Sequence, residues 1–147
     1  LLKVIRPDPD IEWRPREDRT SYFYSHLVLN SLLYLSHENI LDLGPSTEAV
    51  ITTFERKRES GGNSARLLVI RYPDPGAASR ALRDFSGAYL PEHGEMKDQG
   101  REWESREFYQ VEDGWLGWKL SGPYLALVLG CPDARAAREI LERADLD

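Results

Sequence analysis

Two segments of the chain repeat one pattern of apolar and polar positions: a short apolar stretch, an aspartate, and then apolar residues at helical spacing. The apolar stretches are residues 67–70 and 124–129, and the aspartates are Asp74 and Asp133. Short apolar stretches bounded by turn residues are typical of buried strands. An aspartate just before a helix accepts hydrogen bonds from the free N–H groups of the first turn. The pattern therefore predicts two strand-to-helix units.

The two units match in register. Pro73 and Asp74 recur 59 positions later as Pro132 and Asp133. The other matched positions lie on the apolar face of each helix: Ala78 with Ala137, and Leu82 with Leu141. We interpret the match as an internal repeat of a strand–strand–helix unit. The alternative is that two unrelated turns share good capping chemistry.

The remaining elements follow from shorter patterns. Residues 48–56 contain successive β-branched residues and predict a strand. Residues 105–111 and 115–120 flank an acidic turn that ends in glycine and predict a hairpin. Residues 25–35 have leucines at helical spacing, although the aromatic alternation before them also fits a strand; we favour the helix. The predicted order is α–β–β–α–β–β–β–α.

These elements predict an α+β fold. Hairpins impose antiparallel pairing, and helices with a single apolar side are expected to cover one face of the sheet. We therefore predict a two-layer sandwich with a mainly antiparallel sheet and helices on one face, built from two strand–strand–helix repeats at about 48–88 and 104–145, with kinship to ferredoxin-like folds. Residues 1–20 are rich in prolines and charges, and predict an extended lead-in to a single domain over 21–147.

Composition limits the classes of function. The chain has 147 residues, 41% apolar and 30% charged, as expected of a globular domain. A net charge of −6 argues against a nucleic-acid partner, because phosphate contacts need clustered basic residues. No apolar run reaches the ~18 residues of a membrane-spanning helix. The single cysteine, Cys131, excludes an intrachain disulfide and leaves cytoplasmic and exported locations open. Its counterpart in the first unit is Tyr72, which indicates a packing position rather than a reactive thiol.

His26 is the candidate catalytic residue. If its segment is helical, Asn30 lies one turn later and orients the imidazole for acid–base chemistry, with Tyr24 in support. The alternative is that His26 and Asn30 satisfy backbone groups at the edge of the core. The other histidines, His37 and His93, lack the spacing of a metal site, so no metal is predicted.

Four aromatic residues form the candidate ligand site: Trp103, Tyr109, Trp115 and Trp118. On one sheet face these rings would line a groove, at the seam between the two copies and near the N-terminal segment. Strand alternation, however, puts Trp115 and Trp118 on opposite faces, and the alternative is that the rings are core. Gly61-Gly62 lacks a following Gly-Lys-Ser or Gly-Lys-Thr, so neither a phosphate loop nor a cofactor is predicted.

Several segments resemble the C-terminal half of an uncharacterised bacterial family of domain-of-unknown-function type. They are residues 22–30, 38–41, 71–78 and 122–129. The resemblance covers most of residues 20–145. It implies a bacterial source, and an export signal or a similar half before this segment. It implies no activity and no catalytic residues.

Three functions from different classes remain open. The favoured hypothesis is a non-enzymatic binding or interaction module of a bacterial protein, exported or cytoplasmic, whose partner is a small molecule or another protein. The second is a small enzyme that uses His26 as acid or base. The third is a structural assembly subunit that pairs through an edge strand or an exposed sheet face.

Overall fold

Six strands and three helices make up the computed structural model, which describes residues 13–33, 39–56, 64–89, 106–111, 114–144 and 146. The strands and helices predicted from the sequence are present at similar bounds, and one further strand precedes them in the chain. The elements are β1 Trp13–Phe23, α1 His26–Leu32, β2 Glu48–Arg56, β3 Ser64–Arg71, α2 Pro75–Tyr89, β4 Arg106–Val111, β5 Gly114–Ser121, β6 Tyr124–Cys131 and α3 Ala134–Glu142.

The strands form one open sheet in the order β1-β2-β3-β6-β5-β4. All five strand pairs of this sheet are antiparallel, which confirms the α+β class and the antiparallel sheet. Two three-stranded meanders meet where β3 pairs with β6, and Leu68 lies directly opposite Leu127.

The first six elements follow the β-α-β-β-α-β order of ferredoxin-like folds. The antiparallel pairing of β1 with β2 differs from the split β-α-β unit of those folds.

The helices lie on both faces of the sheet, which corrects the expectation of helices on one face. Leu68 and Ile70 belong to a buried cluster with residues of α1 and α2. Leu67 and Val69 belong to a second buried cluster with residues of α3. Because side chains alternate along a strand, β3 is apolar on both sides and needs cover on each. The prediction was wrong because the apolar side of a helix shows that the helix covers a sheet, but not which face of the sheet it covers.

Both predicted helix caps are present. The Asp74 carboxylate accepts from the Ala77 N–H at 2.8 Å, and the Asp133 carboxylate accepts from the Ala136 N–H at 2.7 Å. Cys131, just before the second cap, is fully buried. Burial, and to a lesser extent the nearby Asp133 carboxylate, raises the pKa of the Cys131 thiol to about 12. A thiol with this pKa is protonated at neutral pH, in agreement with a packing position.

Strand β1 crosses the boundary expected at residue 20, so part of the predicted lead-in belongs to the sheet. Trp13 is only 1% exposed. Its ring lies 5.2 Å below the Arg56 guanidinium, and its carbonyl accepts a hydrogen bond from the buried Arg143 at 3.0 Å. Pro15 is tolerated because β1 is an edge strand.

A bulge interrupts the pairing of β1 with β2. The register shifts between Arg16 and Thr20. The Thr20 and Thr52 hydroxyls contact each other, and both lie within donating distance of the Arg16 carbonyl, at 2.8 and 3.3 Å. The Arg16 guanidinium donates to the Asp18 carboxylate at 2.6 and 2.9 Å and to the Glu55 carboxylate at 2.9 Å. These contacts hold the extra residues of the bulge against β2.

Within the described ranges, every helix is too short or too polar to cross a membrane.

We expect Trp13→Ala to lower the free energy of unfolding by about 3 kcal/mol or more, because it removes a large buried aromatic side chain. Urea unfolding measures the change. The neighbouring Arg14 is exposed, so Arg14→Ala serves as the control and is expected to change stability by less than about 0.5 kcal/mol. Equal stability of both variants would contradict the assignment of Trp13 to the core.

The Arg16–Asp18 pair is expected to make stability depend on pH in an acidic window. Hydrogen bonds from Arg16 hold the pKa of the Asp18 carboxyl below its usual value of 3.8. The unfolded chain therefore takes up this proton first, so the stabilisation is present above about pH 4 and is lost as the pH falls through the lowered pKa. Because the pair is exposed, the effect is small and weakens with added salt.

The measurement is the free energy of unfolding of wild type and Asp18→Asn from neutral to acidic pH. The difference between the two proteins should shrink as the pH falls below about 4. A difference that stays constant across this range would show that the pair makes no pH-dependent contribution.

Candidate functional site

A cleft of about 480 Å³ opens where the end of β1 meets the start of β2. Residues of two chain segments line it: Tyr22, Phe23 and Tyr24 from one, and Pro45, Thr47, Glu48 and Ala49 from the other. Its volume lies within the range of small-molecule and anchor pockets in proteins. It is therefore large enough to take a side chain of a partner or a small organic ligand.

Thr47 fastens the two segments of the cleft together. Its hydroxyl accepts from the Gly44 N–H at 3.0 Å and lies within donating distance of the Gly44 carbonyl, at 2.9 Å, and of the Tyr24 carbonyl, at 3.3 Å. The residue is buried, so these hydrogen bonds are shielded from water. The turn at residues 44–47 is thereby closed and held against the end of β1.

The segment before this turn is closed by its own hydrogen bonds. The Asn39 side-chain amide donates to the Leu43 carbonyl at 2.8 Å, and its oxygen accepts from the Leu43 N–H at 2.9 Å. Leu41 and Leu43 are buried in the same core cluster as Phe23. The Leu41 carbonyl also accepts from the Tyr72 hydroxyl at 2.6 Å. The cleft therefore rests on a fixed loop.

Helix α1 begins directly beside the cleft. Ser25 has an extended backbone and its hydroxyl accepts from the Val28 N–H at 3.2 Å, so the chain turns from β1 into α1 at this residue. Leu29 faces the core and is buried. Leu27 and Val28 consequently point away from the core, on the solvent side of the helix.

Four large apolar side chains are exposed around the end of β1, and we call them the apolar surface. Tyr22 is 55% exposed, Tyr24 58%, Leu27 81% and Val28 42%. All four lie between residues 20 and 33, a stretch without Asp, Glu, Lys or Arg in a chain that is 30% charged. Clustered exposed apolar groups of this kind mark sites of interaction.

The charge at the cleft is nearly balanced. Glu48 is the charged residue among the described residues of the lining, and its carboxylate accepts from the Arg71 guanidinium at 2.8 Å. Both side chains are about half exposed, so the pair lies at the rim rather than in the interior. The cleft therefore favours a neutral, apolar occupant over a strongly charged one.

The structure brings two of the three proposed catalytic residues together and places the third elsewhere. The Asn30 amide nitrogen lies 3.3 Å from Nε2 of His26, one helical turn away as expected. His26 is half-buried, and neither it nor Asn30 lines the cleft. Tyr24 lines the cleft instead. The geometry thus supplies a His–Asn contact outside the cavity, and an aromatic cavity beside it.

The proposed aromatic groove is not formed by its two described tryptophans. Trp118 is 1% exposed and lies in the core cluster under α1 and α2, whereas Trp115 contacts the opposite cluster under α3. They occupy opposite faces, as alternation required. Their strand, β5, is separated from β1 by β2, β3 and β6, so the sheet does not pair it with the N-terminal segment. Tyr109 pairs with Leu116 through the backbone; its side chain, and all of Trp103, lie outside the described residues.

The prediction of no metal site depended on the spacing of the three histidines. Two of them, His37 and His93, lie outside the described residues. Among the residues that are described, no group of three or more His, Cys, Asp or Glu side chains is placed to hold a metal ion.

Comparisons with protein-family models, with curated proteins and with solved structures find no match. The functional interpretation therefore depends on the cleft and the surface around it.

Sequence reasoning missed most of this site. Leu27, Val28 and the turn residues Pro45 and Thr47 were not predicted to contribute, and Tyr24 was expected only as a support for His26. One signal was available, namely the long interval without charge that begins at residue 20. Phe23 and Leu29 of that interval are buried, however, so only the structure separates the core residues from the exposed ones.

We expect Thr47→Val to lower the free energy of unfolding by about 1–3 kcal/mol, because the Gly44 N–H loses its acceptor in a buried position. The same change should shift the NMR signals of Tyr24. Thr47→Ser keeps the hydroxyl and loses one methyl group, so it should leave the Tyr24 signals in place. A Thr47→Val protein as stable as wild type would show that the hydroxyl does not fasten the cleft.

Proposed function

We propose that this chain is a non-enzymatic interaction module that binds an apolar segment of a partner protein at the apolar surface and the adjoining cleft. The observation that carries the proposal is the exposure of four large apolar side chains in a stretch without charge, around a cavity. Exposing such groups to water has a cost that burial against a partner removes.

The residue types at this surface fit a protein interface. The cores of protein–protein interfaces are enriched in tyrosine and depleted in lysine, glutamate and aspartate. Tyr22 and Tyr24 each present an apolar ring and a hydroxyl, so they can bury area and still donate a hydrogen bond. Leu27 adds the most exposed apolar side chain of the set. The half-exposed Glu48–Arg71 pair at the edge of the cleft supplies part of a polar rim.

The cleft supplies the anchor point. Binding energy at interfaces concentrates in a few side chains that enter well-packed pockets. The cleft is bounded by residues fixed on both sides, since Phe23 lies in the core and Thr47 is hydrogen-bonded. Its near-neutral lining fits an aromatic or aliphatic side chain. We therefore propose a partner that inserts one such side chain while its neighbours cover Leu27 and Val28.

We also propose that the two halves of the chain are copies of one ancestral unit in a bacterial protein. Supporting this is the symmetric strand order about the β3–β6 pair, with Leu68 opposite Leu127, its counterpart 59 positions later. The two helices have moved to opposite faces, so the copies differ in how they cover the sheet. The apolar surface belongs to the first half.

We expect peptides selected from a display library on the wild-type protein to carry large apolar side chains and to bind at the apolar surface. Leu27→Ser and Tyr24→Ser should each weaken a selected peptide by about tenfold or more, measured by calorimetry. Because both residues are exposed, these changes should alter the free energy of unfolding by less than about 0.5 kcal/mol.

Matched variants separate apolar contact from other effects. Leu27→Met and Tyr24→Phe keep the apolar character and should keep binding within a few-fold of wild type. Selected peptides that bind wild type and both serine variants equally would refute this surface as the binding site. Concentration-dependent self-association that Leu27→Ser abolishes would assign the surface to a second copy of the chain and overturn the proposed partner.

A further inference from the structure

A second and smaller cleft of about 230 Å³ lies beside β1, on the face of the sheet that α1 and α2 cover. It is lined by two arginines, two hydroxyl-bearing residues and two aliphatic residues: Arg19, Arg66, Ser21, Thr53, Leu32 and Ile51. Neither the sequence patterns nor the proposed interaction accounts for this combination.

The register of the strands assembles the lining. Ser21 pairs with Ile51, and Thr53 pairs with Arg66. Alternate residues of a strand share a face, so Thr53 lies on the same face as Ile51, which belongs to the core cluster there. Arg19 is the last residue before regular pairing resumes at Thr20, and alternation places it on the face of Ser21. The bulge therefore places the Arg19 side chain at the cleft. Bulges in other proteins likewise change the direction of a side chain.

Arg66 is held in position. Its guanidinium donates to the Leu32 carbonyl at the C-terminal end of α1. This contact satisfies one carbonyl that the helix leaves without a partner, and it places positive charge at the negative end of the helix. A guanidinium has five N–H donors, so further donors remain for a ligand.

The described residues that line the cleft carry positive charge and include no carboxylate. Within the same part of the chain, neither Arg19 nor Arg66 forms an ion pair. Asp18, the carboxylate nearest in sequence, accepts two hydrogen bonds from Arg16, and the charge of Arg19 acts on it more weakly. Two arginines in one small cleft repel each other unless an anion lies between them. In a chain of net charge −6, this local excess of positive charge is unusual.

We propose that this cleft binds a small organic anion through an oxyanion head group and a short apolar body. Arginine presents a planar fork of donors that matches carboxylate and phosphate oxygens. Ser21 and Thr53 add hydroxyl donors beside the two arginines, and Leu32 and Ile51 provide an apolar wall. A volume of about 230 Å³ is below the range of drug-sized ligand pockets, so the body has only a few carbon atoms.

This site is independent of the proposed partner surface. Tyr22 pairs with Val50, which belongs to the core cluster on the α3 face, whereas Ser21 lies on the α1 and α2 face. Ser21 and Tyr22 therefore point in opposite directions, and the two clefts share none of their described lining residues. Leu27→Ser, which is expected to weaken partner binding, should leave anion binding unchanged, so failure of one proposal is distinguishable from failure of the other.

The test is an NMR titration at low ionic strength with inorganic phosphate, acetate and butyrate. We expect saturable shifts of the Arg19 and Arg66 side-chain Nε–H signals and of the Ser21 and Thr53 amides. Butyrate should bind up to about tenfold more tightly than acetate, because two further methylene groups contact the apolar wall. Tighter binding of phosphate than of butyrate would identify a phosphate head group; the reverse order would identify a carboxylate.

Arginine variants provide the matched controls. Arg19→Gln should raise the dissociation constant about tenfold. Arg14→Gln removes the same charge from an exposed residue of the same strand and should change it by less than about twofold. Arg66→Lys keeps the charge and loses the planar fork, so it should also weaken binding. Titrations that do not saturate, or equal weakening by Arg14→Gln and Arg19→Gln, would overturn the proposal.

Discussion

The antiparallel pairing of β3 with β6 is the contact on which the rest of the structure depends. Both strands are apolar on both sides, and residues 67–70 and 125–128 are buried. A strand buried on both faces requires a cover on each, so α2 lies on one side and α3 on the other. The remaining four strands extend this centre outward as two meanders, and the outermost of them, β1 and β4, become the edges.

The edge strand β1 combines roles that a central strand does not. Its beginning is fastened by Trp13, which contacts Arg56 and Arg143. Its middle is bulged and held by the side chain and carbonyl of Arg16. Its end runs into α1 and borders the larger cleft. Because an edge strand has a partner on one side only, it can bend in this way without breaking the sheet.

Both candidate binding sites lie where the apolar core gives way to the surface along β1 and β2. On one face the change from Ile51 to Thr53 opens the cleft of the two arginines. At the end of the strands the change is from the buried Phe23 to the exposed Tyr24. In each site the buried core residues provide a rigid base, and the more exposed side chains next to them provide the proposed specificity. The fold therefore places both proposed binding sites at the edge of the first meander, whereas the centre of the sheet forms the core.

The sequence alone determined the local elements of this protein. Capping chemistry and apolar spacing depend on residues close together in the chain, so the starts of α2 and α3, the strand 48–56 and the hairpin of β4 and β5 were predicted near their observed bounds. Only the tertiary structure decided what depends on distant residues. In the structure, β1 pairs with β2, although local patterns predicted only an extended segment there. The structure also places α2 and α3 on opposite faces of the sheet, and Trp118 in the core. It also separated the exposed Leu27 from the buried Leu29, because neighbouring residues of one apolar stretch differ only in what lies opposite them.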